Sequence, residues 1–300
     1  MVTREVSTMD FIRPTSLAQA LAAKAEVPGA VPIAGGTDVM VELNFDRRRP
    51  DALLDLNAVG ELASWSEVDG RIRLGACVPY VQVIEELGDR LPGLAMASRT
   101  VGSPQIRNRG TVGGNVAGAS PAGDSHPPLL ASDAVVEVAS VRGTRTIPIT
   151  EFYLGVKRSA LEADELVTAI LIPPADGPQQ FSKVGTRNAM VIAVCSFAVA
   201  LHPSSGTVGT GLGSAAPTPR RAPDAEDYIA NELSGLWQSP APLADSVLRR
   251  FGELVGAAAQ PIDDVRGSAA YRRHALAVLA RRTLGWAWHD YCEGRVTACA

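Results

Sequence analysis

The chain lacks any apolar run long enough to cross a bilayer. Its longest, residues 191–201, is interrupted by Ser196, and a membrane helix takes about 20 residues. The opening M-V-T-R-E-V-S-T-M-D has no apolar centre, so no secretory leader is expected. Cys77, Cys195, Cys292 and Cys299 include no C-x-x-C pair, which argues against zinc or iron–sulfur ligation by this chain. Scattered thiols of this kind suit a reducing compartment, so a cytoplasmic protein is expected. His126, His202, His274 and His289 are not spaced for a metal and read as surface or satisfied side chains. Neither G-x-G-x-x-G nor a Walker A loop is present, so neither standard nucleotide fold is indicated. A net charge of −4 argues against nucleic acid as a partner. There is no internal repeat and no low-complexity tract.

What is present is ordinary globular composition, 46% hydrophobic and 20% charged over 300 residues, enough for a sizeable core and for two domains. Helix signals begin at Pro14-Thr15-Ser16, followed by Leu17, Ala20, Leu21 and Ala25 at helical spacing. Further helices are expected over 79–87, 92–101, 224–233, 243–258 and 268 to about 291. Strands are expected over 31–34, 52–56, 72–76, 135–138, 144–149, 166–172, 191–201 and 208–214. Residues 173–180, P-P-A-D-G-P-Q-Q, read as a linker. The expected division is therefore an α+β region over 1–176 and a smaller unit over 177–300, a sheet followed by helices. Arg272-Arg273 and Arg281-Arg282 recur along the last helix and read as a solvated or interface face. Trp286 and Trp288, two apart, cannot share a helix face, so one of them is expected to meet a partner.

Two small-residue loops carry the chemistry. A-G-G-T-D, residues 34–38, follows a short strand, and Thr37 or Asp38 can cap the helix carrying Val39, Met40 and Leu43. T-V-G-G-N-V-A-G-A-S-P-A-G-D, residues 111–124, surrounds Gly113-Gly114 with the donors of Thr111 and Asn115. Glycine lets a ligand approach the backbone, and a turn of free N–H groups before a helix attracts anions, phosphate above all. Two such loops could grip both ends of a pyrophosphate; the plainer reading of Gly35-Gly36 alone is a tight turn. Asp124 could accept from a cofactor hydroxyl or ring N–H, or could cap a helix ahead of Pro127-Pro128. Ser120 and Ser125 have no evident catalytic base, although His126 adjoins Ser125.

In this order and spacing the motifs resemble the FAD-binding medium subunit of the molybdenum hydroxylases, the xanthine dehydrogenase and carbon monoxide dehydrogenase relatives. L-D-L-N (54–57), S-P-Q-I-R-N-R (103–109), E-L-V-T-A-I-L-I-P (165–173), F-S-K-V-G-T-R (181–187) and P-I-D-D-V-R-G-S-A-A-Y-R-R (261–273) extend the resemblance over nearly the whole chain. It implies an α+β FAD-binding fold of the vanillyl-alcohol oxidase (PCMH) type, with subdomains of about 1–57 and 58–176, then a CO dehydrogenase flavoprotein C-terminal-like domain. It implies that Pro32, Ile33, Ala34, Gly35, Gly36, Thr37, Asp38 and Val39, with Thr111, Val112, Gly113, Gly114 and Asn115, wrap the pyrophosphate and adjoining ribityl chain. Val101, Ser120, Asp124, Leu166 and Lys183 match other cofactor-contacting positions. The resemblance further implies an electron relay. A large molybdopterin subunit hydroxylates a purine, N-heterocycle, aromatic or aldehyde substrate, and a small subunit with two 2Fe–2S clusters passes the electrons on. The FAD of this chain delivers them to an external acceptor, in a dimer of heterotrimers. The loops A-G-G-T-D and A-S-P-A-G-D are closer to the xanthine dehydrogenase branch than to the carbon monoxide branch. Val191 stands where many relatives carry an acidic residue. The substrate and the final acceptor (NAD, oxygen, a quinone or a carrier protein) are left open. The other readings are a stand-alone FAD oxidoreductase of the same fold and a scaffold subunit without flavin.

Overall fold

The computed structural model describes residues 9–295. Cys299, and the opening segment before Met9, lie outside the described residues. The chain begins with β1 (Asp10–Ile12), α1 (Leu17–Glu26), β2 (Val31–Ile33), α2 (Val39–Asn44) and β3 (Ala52–Asp55). The strands form a parallel three-stranded sheet in the order β1-β3-β2. Helix α1 starts where the sequence places it, because the Ser16 hydroxyl accepts from the Gln19 amide at 3.3 Å. At α2 the cap position is Asp38, yet its side chain makes no cap hydrogen bond. The expected capping role of Thr37 or Asp38 is therefore not what starts this helix.

The middle of the chain holds β4 (Trp65–Val68), β5 (Arg71–Gly75), α3 (Tyr80–Glu86), α4 (Pro92–Arg99), α5 (Pro104–Arg107), α6 (Val112–Gly118), α7 (His126–Ala131), β6 (Val135–Ser140), β7 (Gly143–Pro148), α8 (Ile149–Phe152), β8 (Tyr153–Gly155), β9 (Arg158–Ser159) and β10 (Leu166–Ile172). A five-stranded antiparallel sheet, β4-β5-β10-β6-β7, places β10 at its centre. That position explains its nearly unbroken apolar sequence: six of its seven residues are buried. Ile72, Leu74, Val136, Val138 and Ile170 pack with Leu94, Val112, Val116 and Leu129 in one core cluster. Strand β4 escapes sequence reading because W-S-E-V is an edge strand with little burial, so no alternation is demanded of it.

The C-terminal part comprises β11 (Gln179–Val184), β12 (Cys195–His202), β13 (Thr207–Gly213), α9 (Pro223–Leu233), α10 (Asp245–Ala258) and α11 (Ala269–Cys292). Strands β11, β12 and β13 form an antiparallel sheet. Alternate residues of β12, namely Cys195, Phe197, Val199 and Leu201, pack against Ile229, Phe251, Val255, Leu276 and Leu284 of the three helices. The opposite face is built of small residues and receives α7. A Cβ on Gly209 would lie 2.0 Å from the Ala131 carbonyl oxygen, and one on Gly211 would lie 2.0 Å from that of Pro127. Backbone therefore lies directly on backbone, and the stretch carrying residues 120–126 is seated against the C-terminal sheet.

Three expectations need correction. The strand foreseen over 191–201 begins at Cys195, and residues up to 194 form a loop. The foreseen linker loses Gln179 and Gln180 to β11, where the Gln179 side chain accepts from the Gly93 amide at 3.1 Å. Arg272 is not on a solvated face: it is 4% exposed, paired with Asp264, and donates to the Ser214 carbonyl. Of the two tryptophans, Trp288 is buried and donates to the Ala241 carbonyl at 2.8 Å, leaving Trp286 on the surface. Among the described residues no helix is long and apolar enough to cross a membrane, and no cluster could hold a metal.

Candidate functional site

The two glycine loops, some 75 residues apart in sequence, are docked onto each other. A Cβ on Gly35 would lie 1.8 Å from the Arg109 carbonyl oxygen and 2.9 Å from the Gly110 nitrogen. Glycine is required there by the approach of one backbone to another. Asn57 clips the pair: its Nδ2 donates to the Ala34 carbonyl at 2.9 Å, and its Oδ1 accepts from Arg109 at 3.1 Å. Asp55 in turn accepts from the Asn57 amide and side chain. A second clamp joins α2 to the loop after α6. Lys157 pairs with Glu42 at 2.6 Å, and the Lys157 amide donates to the Ala119 carbonyl. This pairing holds the Glu42 carboxyl below its ordinary value.

The second loop runs into α6. Thr111 caps that helix, its hydroxyl accepting from the Gly114 amide at 2.9 Å. Gly113 faces inward, where a Cβ would meet the Ala76 backbone at 2.5 Å. Gly114 faces outward and is exposed. A Cβ there would meet only the Thr111 hydroxyl, at 3.0 Å, so the surface beside it is open. The adjacent glycines thus do different work: one seats the helix on the protein, the other leaves bare backbone at the surface.

Asn115, on α6, carries the geometry onward. Its Oδ1 accepts from the Ser125 amide at 3.3 Å, fixing the start of α7. Ser125 shares a 3.2 Å hydrogen bond with the Tyr80 hydroxyl, and His126 shares one of 2.6 Å with that of Tyr153. Burial pushes His126 down to about 4 and raises the Tyr80 and Tyr153 hydroxyls. These groups are neutral near pH 7, which suits a structural role for His126. The cap position of α7 is Ser125, so the capping role open to Asp124 is not what the fold uses.

Asp124 sits where two adjoining clefts meet. The first, about 340 Å³, is lined by Val101, Ile106, Asn115, Asp124, Val191 and Ile192 among others. The second, about 480 Å³, includes Arg99, Arg107, Lys183 and Arg187 in its walls. They share Gly102, Ser103, Met190 and Val191. Asp124 Oδ2 accepts from Lys183 Nζ at 2.6 Å and from the Thr100 hydroxyl at 3.3 Å. Its Oδ1 is buried and has no hydrogen-bond partner among the described residues. Burial raises the Asp124 carboxyl above its ordinary value, and Lys183 opposes that rise. A buried carboxylate oxygen without a donor costs about 1–3 kcal/mol, so this oxygen suits a ligand that brings one.

The structure thus docks the residues 32–39 loop onto the stretch leading into Thr111–Asn115, of which Gly114 and Asn115 reach the surface, and places Val101, Asn115, Asp124 and Lys183 around the clefts. Ser120 lies beyond the end of α6, where its carbonyl accepts from the Gly123 amide at 3.0 Å. Leu166 lies elsewhere, 2% exposed in a core cluster with Leu54, Leu56 and Leu62. Sequence reading assigned no role to Asn57 or Arg109, although it noticed their motifs. Met190 and Ile192, which flank Val191 and were likewise given no role of their own, stand at the cleft mouths on a loop held by Arg187 donating to the Ala189 and Met190 carbonyls. An FAD fits this donor set: open backbone beside Gly114 suits a pyrophosphate, and the unpaired Oδ1 suits a ring N–H or a hydroxyl.

Residues 6–175 match the family described as the FAD binding domain in molybdopterin dehydrogenase. Residues 180–287 match the CO dehydrogenase flavoprotein C-terminal domain. The xanthine dehydrogenase FAD-binding subunit of Escherichia coli O157:H7 is 32% identical over 284 residues, 91% of this chain and 94% of that protein. The nicotinate dehydrogenase FAD-subunit of Eubacterium barkeri is 36% identical over 211 residues, 67% of this chain and 71% of that one. Among solved structures, reconstituted CO dehydrogenase from Oligotropha carboxidovorans superposes with a TM-score of 0.85 at 29% identity, covering 94% of this chain and 98% of that chain. With the docked loops and the unpaired carboxylate oxygen, these likenesses place the chain in the family of FAD-binding subunits of the molybdopterin dehydrogenases.

Proposed function

We propose that this chain is the electron-transfer subunit of a heterotrimeric molybdenum hydroxylase, assembled as a dimer of heterotrimers in the cytoplasm. A large subunit would carry the molybdopterin cofactor and a small subunit two 2Fe–2S clusters. The FAD supplies the redox chemistry, taking electrons from the clusters and releasing them to an external acceptor. The protein's part is to bind, orient and shield it. The backbone of residues 32–39 and Thr111–Asn115 would hold the pyrophosphate, with Ser120 beyond α6. Val101 would provide apolar contact, Asp124 Oδ1 would accept from the cofactor, and Lys183 would stand behind that carboxylate. Leu166 would act from the core, by supporting the sheet beneath. The proposed boundary between the FAD-binding and C-terminal domains lies between residues 176 and 177. It leaves Asp124 and Lys183 on opposite sides.

The substrate class is a purine, N-heterocycle, aromatic or aldehyde compound. Named relatives that act on xanthine and nicotinate support that class. The observation that carries the reading is the buried, unpartnered Asp124 Oδ1 beside two glycine loops docked into one surface. The test is a visible absorption spectrum of the purified protein and its co-purifying subunits, before and after dithionite, with the released cofactor identified. Bleachable flavin bands over an iron–sulfur background, with FAD released, are expected. A colourless preparation that cannot be reloaded with FAD would overturn the proposal.

A further inference from the structure

The Asp124–Lys183 ion pair stands between the two clefts. Asp124 lines the first and Lys183 the second. Lys183 comes from β11 of the C-terminal sheet, Asp124 from the stretch ahead of α7, and each side chain is 8% exposed. A buried ion pair contributes little net stability compared with well-packed apolar groups, so its presence here calls for another reason. The hydrogen-bond pattern supplies one. Lys183 Nζ donates to Asp124 Oδ2 at 2.6 Å and to the Thr100 carbonyl at 3.3 Å, and the Thr100 hydroxyl donates to the same Oδ2. Both contacts to the carboxylate fall on Oδ2, the third ties Lys183 to the Thr100 backbone, and Oδ1 is left without a donor.

We propose that Lys183 is a positioning residue that acts through Asp124 Oδ2, keeping the carboxylate charged and aimed so that Oδ1 meets a hydrogen-bond donor of the flavin nucleotide. This rests on the FAD reading above. It adds that the affinity of the chain for FAD is made less dependent on pH by a lysine acting through that carboxylate.

The sign follows from the groups around Asp124. Burial raises its carboxyl, and Lys183, by charge and hydrogen bond, is the larger of the two side chains that oppose the rise, Thr100 being the other. The tyrosine and histidine nearby carry no charge near pH 7. Tyr80 is raised by burial, and His126 is held down at about 4. Arg99, Arg107 and Arg187 lie in the walls of the second cleft, and none is hydrogen-bonded to Asp124. Without Lys183, the carboxyl value moves further up, because Thr100 alone then opposes the effect of burial. A ligand that prefers the ionised form binds fully above that value and progressively less as pH falls through it.

The test titrates FAD into the full chain, stripped of flavin, by fluorescence quenching between about pH 6 and about pH 9. The unaltered protein and Lys183→Arg should show a shallower dependence of Kd on pH than Lys183→Met. In Lys183→Met the Kd should weaken about tenfold from the alkaline to the acid end. The double variant Lys183→Met with Asp124→Asn should bind weakly at every pH, because the titrating group is gone. If Lys183→Met does not fold, Lys183→Gln, uncharged but able to hydrogen-bond, takes its place with the same expectation. A pH-independent loss in the single variant, as expected of a plain interdomain brace, would overturn the proposal. So would a pH slope that persists in the double variant. Absence of FAD binding by the unaltered chain is a separate result, and it would overturn the FAD reading as well.

Discussion

Replacing Gly35 with alanine tests whether the two glycine loops form one unit. The added Cβ would sit 1.8 Å from the Arg109 carbonyl oxygen, where ordinary contact begins at 3.4 Å, a shortfall of about 1.6 Å. The obstacle is backbone, and Asn57 and Arg109 hold it in place, so a rotamer change cannot relieve it. Overpacking of this kind costs about 1–3 kcal/mol, and the rigidity of the neighbour favours the upper end. For a chain of this size each kcal/mol lowers the melting temperature by about 2–4 °C, so a fall of about 6–12 °C is expected by calorimetry on the apo-protein. Separation of the loops should also weaken FAD binding by at least about tenfold. Two controls sharpen the reading. At Gly29 an added Cβ meets nothing within 4 Å, so Gly29→Ala should melt within about 1 °C of the unaltered protein. Gly114→Val should lose FAD affinity at a smaller cost in apo stability than Gly35→Ala, because its Cβ meets only the Thr111 hydroxyl, at 3.0 Å, and no backbone. If Gly35→Ala melts like the Gly29 control and binds FAD normally, the docked-loop account is wrong.

The remaining predictions concern supports at greater distance. Gly211→Ala would place a Cβ 2.0 Å from the Pro127 carbonyl oxygen and lift α7 from the C-terminal sheet; it should destabilise by about 1–3 kcal/mol in urea melts and loosen FAD binding by shifting Asp124 from Lys183. Thr111→Ala removes the α6 cap and should cost about 1 kcal/mol, read as a lower urea midpoint. Arg145 grips the buried Glu165 with two hydrogen bonds of 2.7 Å and holds its carboxyl below the ordinary value. That stabilisation is present above the unfolded carboxyl value of about 4.3 and is lost as pH falls through the lower folded value. Arg145 is 45% exposed, so Arg145→Met should cost no more than about 1 kcal/mol at pH 7. Urea midpoints of variant and parent should then converge as pH falls through the carboxylate range; a gap that stays constant with pH would show that the charge is not responsible.

Much of this molecule is legible in its sequence where local rules act alone. The Ser16 and Ser268 caps start α1 and α11 where expected, because a cap needs only a hydroxyl and an amide three residues on. The central strand Leu166–Ile172 is read from its apolar run. The loops 34–38 and 111–124 stand out because small residues in that order leave backbone bare. The family resemblance followed from the same motifs. What could not be read were the contacts between distant segments. That Gly35 exists to admit Arg109, that Asn57 spans both loops, and that the glycines of β13 seat α7 all depend on which backbones meet. A sequence records that a side chain is missing, but not what fills its place. Asp124 shows the same division. The sequence offered two roles for its carboxylate, a helix cap and a cofactor acceptor. The fold removed the first, by giving the cap position to Ser125, while pairing one Asp124 oxygen with Lys183 and burying the other without a donor.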